Sequence, residues 1–541
     1  MMRTPTLASL CVHVLAGLGL LGGTAMAQTS PATLQTPQQR IQDYYQQRQQ
    51  PEREVQEDPL KSQLPAIDDS SKAVSSVRFE LKGVRFSTST LLPTAALDDV
   101  ANRYVGQTVG MAELSKMIDE INALYTAQQI TTAQAMLSAQ RIDQGIVHVN
   151  LIEGRLGKIS VAGEGRVPEK FVRKRVHQKE GDVVDDDQLR DDLIFLNRTT
   201  DMTVRAVLMP GHGVGETDIL VQADVPKTRN FAVFLDNAGI ESTGRERIGV
   251  QGQFWGLAGI NDLLMGAVAY AQGGLEGSVS YSGLVNRRNG RIGATISRNQ
   301  IEIIDGAYRD LDITGDSTSY SLDFMQPFVA TRRWLVSGSG SFGRSTSNTE
   351  ISGVHVSKVD SDVMTIGVAV NRRGEGNEWN LQQNVSRIKV DEPLRNESEF
   401  TTAAGAMSWI QRIGKSGFNW RSQLGWQWSN AEGLPAGNLY QLGGIGSVRG
   451  YVRGALAGPK GYTLNLELHR PYKDKHDAYV FIDHGAISGF QESRSISSIG
   501  LGLAGEFGRR FRYSLDLGHP LDRALPEQDS VRADFRVTAF W

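Results

Sequence analysis

From residue 227 to residue 541, apolar and polar positions alternate one by one in short runs broken by Gly, Asn, Asp and Ser. A period of two is the signature of strands with two unlike faces. In one run Phe418, Trp420, Leu424, Trp426 and Trp428 alternate with Asn419, Arg421, Gln423 and Gln427; in another Tyr462, Leu464, Leu466 and Leu468 alternate with Thr463, Asn465, Glu467 and His469. A water-soluble sheet would bury the Trp/Leu face, whereas a membrane barrel turns it to lipid and keeps the polar face in its lumen. In the second case strand and loop together take roughly twenty residues, so ~315 residues allow an all-β transmembrane barrel of about sixteen antiparallel strands. Between the two runs lies Gln441-Leu442-Gly443-Gly444-Ile445-Gly446-Ser447-Val448-Arg449-Gly450-Tyr451. It reads as a hairpin loop whose glycines permit tight folding and positive φ. Arg449 needs an anionic partner if this loop enters the lumen.

The pattern upstream is different. Residues 1–27 carry Arg3, an apolar run from Leu7 to Gly23 and Ala25-Met26-Ala27, and are expected to be a cleaved secretory signal. Residues 28–56 are Gln/Arg-rich; Thr36 can cap a helix with Pro37 in its first turn, and Ile41, Tyr44, Tyr45 and Arg48 share one side of it. A disordered arm fits the same composition. Residues 57–73, with Pro59, Pro65 and Asp68-Asp69-Ser70-Ser71, read as a linker. Residues 74–153 then predict a strand at Val77–Leu81, two helices (Thr90–Tyr104 and Met111–Gln128) and two strands. The second helix places Leu114, Met117, Ile118, Ile121 and Leu124 on one face. Residues 154–226 repeat the β-α-α-β-β order.

Composition narrows the class. A formal charge of −3 provides no basic face for nucleic acid, and no apolar run of eighteen residues follows the N-terminal segment. Fifty-eight glycines suit a chain of many turns and strands, and the single cysteine, Cys11, lies in the segment expected to be removed. The mature chain then has no thiol, which suits an oxidising periplasm.

Val448-Arg449-Gly450-Tyr451 resembles the VRG(F/Y) loop motif of the outer-membrane superfamily that joins POTRA domains to a β-barrel, and Phe481-Ile482-Asp483-His484-Gly485 resembles its F-x-D-x-G strand motif. The duplicated α/β unit resembles a POTRA pair. Glu153-Gly154-Arg155, Leu196-Asn197-Arg198, Met209-Pro210-Gly211, and Leu235-Asp236-Asn237-Ala238-Gly239 followed by Ser242-Thr243-Gly244 resemble phrases of the two-partner secretion (TpsB) branch, the haemolysin secretion/activation type. The resemblance implies that Arg449 reaches into the lumen and pairs with Asp483; Glu467, on the polar face of the intervening strand, offers a third member. It also implies that residues 28–56 form a plug helix, and that an unfolded exoprotein docks on the POTRA edges by strand addition and leaves through the barrel. The expected partners are a large secreted TpsA-type β-helical protein (adhesin, haemolysin or contact-dependent toxin), outer-membrane lipid, and the barrel-assembly machinery, for which the last strand, Val531 to Trp541, resembles a signal.

No cofactor, metal or catalytic set is expected. Gly338-Ser339-Gly340-Ser341-Phe342-Gly343 and Gly500-Leu501-Gly502-Leu503-Ala504-Gly505 both fit G-x-G-x-x-G but sit in alternating strand text. Gly414-Lys415-Ser416 lacks the first glycine of a phosphate loop, and Glu467 and Asp483 are offered Arg449 as an ion-pair partner. Three rivals are weighed: an assembly factor of the same superfamily, which generally carries three or more POTRA units; a porin, which has no use for periplasmic domains; and a surface enzyme on a barrel, against which the lack of a catalytic set argues.

Overall fold

The computed structural model describes residues 58–62 and 77–541, apart from 129, 131, 164–166, 214, 226–227, 393–397, 474, 490–491 and 509. The expected signal and plug helix, with Ile41, Tyr44, Tyr45 and Arg48, lie outside the described residues. The described chain separates into residues 56–226 and a unit containing residues 227–541.

The first unit contains two α/β layers. Strands β1 (Leu60–Ser62), β2 (Phe79–Glu80) and β3 (Gly83–Phe86) are followed by helix α1 (Thr94–Asn102), β4 (Thr108–Val109), α2 (Met111–Ala127), β5 (Ala133–Met136) and β6 (Ile146–Glu153). Strand β3 lies parallel to β6, which is antiparallel to β5. The opening sheet strand is thus Gly83–Phe86 and not Val77–Leu81; Phe79 and Glu80 pair instead with β4. On α2 the buried set is Leu114, Met117, Ile118, Ile121 and Tyr125. Tyr125, at i+4 from Ile121, takes the place expected for Leu124, which is only partly buried.

Glu153 ties the end of this layer to the start of α1. Its carboxylate accepts from the Ser89 hydroxyl (2.5 Å), the Thr90 hydroxyl (2.6 Å), the Thr90 N–H (2.8 Å) and the Leu91 N–H (3.1 Å). Burial pushes this carboxyl up, but the donors from Ser89, Thr90 and Leu91 outweigh it and hold it below the usual range. A depressed folded-state value stabilises the fold above the unfolded value, and that contribution is lost as pH falls through the folded one. Glu153→Gln should therefore destabilise this unit by about 1 kcal/mol at neutral pH, discounted for partial exposure. Urea unfolding of residues 56–226 should show the deficit shrinking below about pH 4; a pH-independent deficit would count against this role.

The second layer repeats the plan: β7 (Arg155–Ala162), α3 (Glu169–Arg173), α4 (Asp186–Thr199), β8 (Thr203–Pro210) and β9 (Glu216–Asp224). The Asp185 carboxylate caps α4 by accepting from the Gln188 N–H. The Asn197 carboxamide both donates to the Val204 carbonyl (2.7 Å) and accepts from its N–H (2.5 Å), fixing the turn from α4 into β8. The sheet order is β1-β8-β9-β7. Part of the segment expected to be a bare linker is therefore a strand: Leu60–Ser62 lies parallel on the β8 edge, in register Leu60↔Ala206 to Ser62↔Leu208, with Asp58 paired to Arg190 at 3.0 Å. Its main-chain groups fill an otherwise open edge.

The second unit is a closed antiparallel barrel of sixteen strands. Eleven run from β10 (Arg229–Asp236) to β20 (Asn419–Ser429), and five complete it: β23 (Lys460–Tyr472), β24 (His476–Gly489), β25 (Glu492–Phe507), β26 (Phe511–Pro520) and β27 (Arg532–Phe540). A short hairpin, β21 (Tyr440–Leu442) with β22 (Leu456–Gly458), lies between β20 and β23, which pair directly with each other. Burial follows the alternation: on β24, Val480 and Ile482 are 55% and 52% exposed while Phe481 and Asp483 are 1% and 0%. The exposed row is apolar, as a lipid-facing surface requires. Both G-x-G-x-x-G runs lie in strands, and inward Gly500 and Gly502 leave room for the rings of Phe481 and Tyr479. The barrel closes by five pairs between β10 and β27, from Ala232↔Phe540 to Asp236↔Arg536. Beyond them the Asn237 carboxamide extends the ladder, accepting from the Phe535 N–H (2.8 Å) and donating to the Ala533 carbonyl (2.9 Å). No described helix is long and apolar enough to cross a membrane.

Candidate functional site

The loop from β20 to β23 folds back inside the barrel, and its tip presses on the wall. Val448 (0% exposed) packs with Leu442, Tyr451 and Leu456 of the same loop and with Ile496 of the wall. The Tyr451 hydroxyl donates to the Ser497 carbonyl (2.7 Å) and accepts from the Asp522 N–H (3.0 Å). Gly450 has φ +88°, and a Cβ on Gly518 of β26 would lie 2.6 Å from its nitrogen, so two backbones meet here without side chains between them. At Gly485 a Cβ would come within 2.8 Å of Leu442 Cδ2 and 3.0 Å of Val448 Cγ2. The two glycines of the expected motifs are where the loop tip touches the wall.

Arg449 is 1% exposed. Its Nε and Nη2 form a two-pronged pair with Asp483 (2.7 Å each), and its backbone N–H donates to the same carboxylate at 3.0 Å. Nη1 donates to Glu467 Oε1 (2.6 Å) and to Asp516 Oδ1 (3.2 Å). The guanidinium carbon lies 3.5 Å over the Phe481 ring. Sequence reasoning thus placed Val448, Arg449, Gly450, Tyr451, Glu467, Phe481, Asp483 and Gly485 together, and the structure brings all eight to one spot. It missed Asp516, Tyr479, His469 and Gly518. Asp516 alternates inward with Ser514 and Gly518 on β26, so its face was readable, but its depth in the lumen was not.

A guanidinium met by a bidentate carboxylate and a third donor arm is geometrically demanding, and lysine cannot reproduce it. Four buried charges at one place have lost much hydration, so the cluster holds only while every member keeps its partner. Chemically it can hold a loop against a wall; among the described residues no group of His, Cys, Asp and Glu is arranged to hold a metal.

Two sequence profiles match. One, described as the haemolysin secretion/activation protein ShlB/FhaC/HecB, covers residues 215–505, and the other, a POTRA domain of ShlB type, covers residues 79–154. The chain is 24% identical over 468 residues to the heme/hemopexin transporter protein HuxB of Haemophilus influenzae strain 86-028NP, covering 81% of this chain and 82% of that one. It is 25% identical over 234 residues to the outer membrane transporter CdiB of Dickeya dadantii, covering 42% and 41%. The solved structure of CdiB from Escherichia coli superposes with a TM-score of 0.66 at 20% identity, covering 96% of this chain and all of that one. BamA from Haemophilus ducreyi, lacking its first three POTRA domains, gives 0.55 at 15% identity, covering 86% and 100%. These two likenesses carry the fold. With more than half of its length matched by the first profile, the chain belongs to the haemolysin secretion/activation family ShlB/FhaC/HecB.

Proposed function

We infer that the chain is the outer-membrane pore of a two-partner secretion system. Its POTRA domains stand in the periplasm and take up an unfolded exoprotein, which crosses the barrel and reaches the cell surface. The observation that carries the reading is the lumen loop itself: an arginine-tipped hairpin clasped to the inner wall of a sixteen-stranded barrel. A passive pore has no need of a buried clasp, whereas an export pore must be shut at rest and released for its client. The Arg449–Asp483–Glu467 cluster serves as that lock. The relatives agree in kind, since HuxB and CdiB are both named as transporters.

The exported partner is a large secreted β-helical protein of the adhesin, haemolysin or contact-dependent toxin kinds, and no catalytic step is assigned to the pore. The barrel's apolar rows face outer-membrane lipid, and the barrel-assembly machinery inserts it through its terminal strand. Folding of the client outside the cell drives its passage. Domain limits are proposed at 1–27 (signal), 28–56 (plug), 57–73 (linker), 74–153 and 154–226 (POTRA domains) and 227–541 (barrel). Since β1 fills the β8 edge, Leu60–Ser62 of that linker also belong to the second POTRA sheet.

Planar-bilayer conductance tests the reading against a porin. The intact transporter should show small resting conductance that rises sharply on deletion of residues 28–56. A large, steady conductance in both forms would identify an ordinary channel.

A further inference from the structure

We propose that His469 is the second cation of the lumen lock, positioning Glu467 for Arg449 and carrying the clasp toward the periplasmic rim. The proposal rests on the reading of the Arg449 cluster as a lock.

His469 is 1% exposed and stands on β23, two residues from Glu467 and three from the strand's end at Tyr472. Its Nε2 lies 2.7 Å from Glu467 Oε2 and its Nδ1 lies 2.6 Å from Asp477 Oδ2. Each ring nitrogen thus faces a carboxylate oxygen, an arrangement that suits a ring donating from both sides. Glu467 then has one oxygen on His469 and the other on Arg449. The His469 ring thus fixes the carboxylate that receives the guanidinium's third arm.

The surroundings close into a circuit. The His469 ring stacks on Tyr479, with centroids 4.6 Å apart and planes 22° from parallel. The Tyr479 hydroxyl donates to Asp516 Oδ1 at 2.7 Å, the oxygen that also accepts from Arg449 Nη1. Facing His469 are therefore Glu467 on its own strand, Asp477 and Tyr479 on β24 and, through Asp477, Arg421 of β20 at 3.9 Å. Charge explains the need. Arg449 alone meets Glu467, Asp483 and Asp516, one cation against three carboxylates. His469 and, through Asp477, Arg421 stand on the Glu467 side of this cluster. Like charges crowded in a water-poor site repel strongly, and the second cation offsets this. Asp477 adjoins the turn between β23 and β24, on the side where the barrel's first strand begins, so the network runs from the loop tip to the rim that meets the client.

The experiment compares His469→Gln, H469Q with Asp477→Asn, and Arg449→Ala in the full-length transporter by resting conductance and exoprotein export. Heat-modifiable gel migration serves as the assembly control. H469Q should raise resting conductance several-fold, and adding D477N should bring it back toward wild type by removing the surplus negative charge. A merely space-filling histidine would not respond to D477N. Wild-type conductance in H469Q, or no rescue by D477N, would overturn the proposal. If H469Q fails to assemble, His469→Lys, which keeps a cation, decides: wild-type conductance supports the role of charge, and raised conductance overturns it. Unchanged conductance in Arg449→Ala would sink the lock reading itself, whereas a response there without one in H469Q would sink only the role of His469.

Discussion

Arg449→Ala should assemble as a normal barrel yet conduct at rest and export poorly. Arg449 belongs to the lumen loop, and the pairing of β20 with β23 that spans the loop does not depend on it. Heat-modifiable migration should therefore match wild type. The loop's attachment does depend on it: the substitution removes four side-chain hydrogen bonds, two to Asp483 and one each to Glu467 and Asp516, and leaves only the backbone N–H on Asp483. It leaves three carboxylates facing one another. Breaking a buried pair from one side costs about 3–5 kcal/mol, which corresponds to roughly 10² to 4 × 10³ in the ratio of clasped to released loop. Arg449→Lys should fall between, since an ammonium keeps the charge but cannot span Asp483 bidentately and still reach Glu467. Single-channel recording and an export assay read both effects. An Arg449→Ala protein that is as quiet and as competent as wild type would show that the loop is held by something else.

Much of this arrangement could be read from the chain because its rules are local. Alternation on β23 turns Glu467 inward whatever the barrel's shear, while the pairing of Arg449 with Asp483 comes from the resemblance of the two motifs that hold them. The missed residues depend on register between strands. That Asp516 of β26 reaches the same guanidinium as Asp483 of β24 is fixed by how three strands are staggered, and no short-range pattern encodes it. His469 looked like one polar position among several; its meaning comes from Asp477, brought beside it by the hairpin turn. Gly518 gave no signal because glycines are frequent in these strands and only one meets the backbone of Gly450. In the periplasmic unit, helix faces were legible, but β1 was not: three residues of an apparent linker become a strand only because the β8 edge is there to receive them. Tyr125 displaced Leu124 from the core because its hydroxyl reaches Glu153 while its ring stays buried.

The most direct test of the lock is to make it covalent. A Cβ on Gly485 would lie 3.0 Å from Val448 Cγ2, so the side chains of cysteines at 448 and 485 would meet directly, as a disulfide needs. The nearest obstacle is Leu442 Cδ2 at 2.8 Å, the tip of a flexible side chain. Cys11 is the sequence's one natural cysteine, so removing it leaves a clean background. The measurement is exoprotein export by the V448C/G485C transporter, oxidised and then reduced. If the loop must leave the wall for the client to pass, export falls to background in the oxidised state and returns on reduction. Full export with the disulfide formed would mean that the client passes a loop that never lets go.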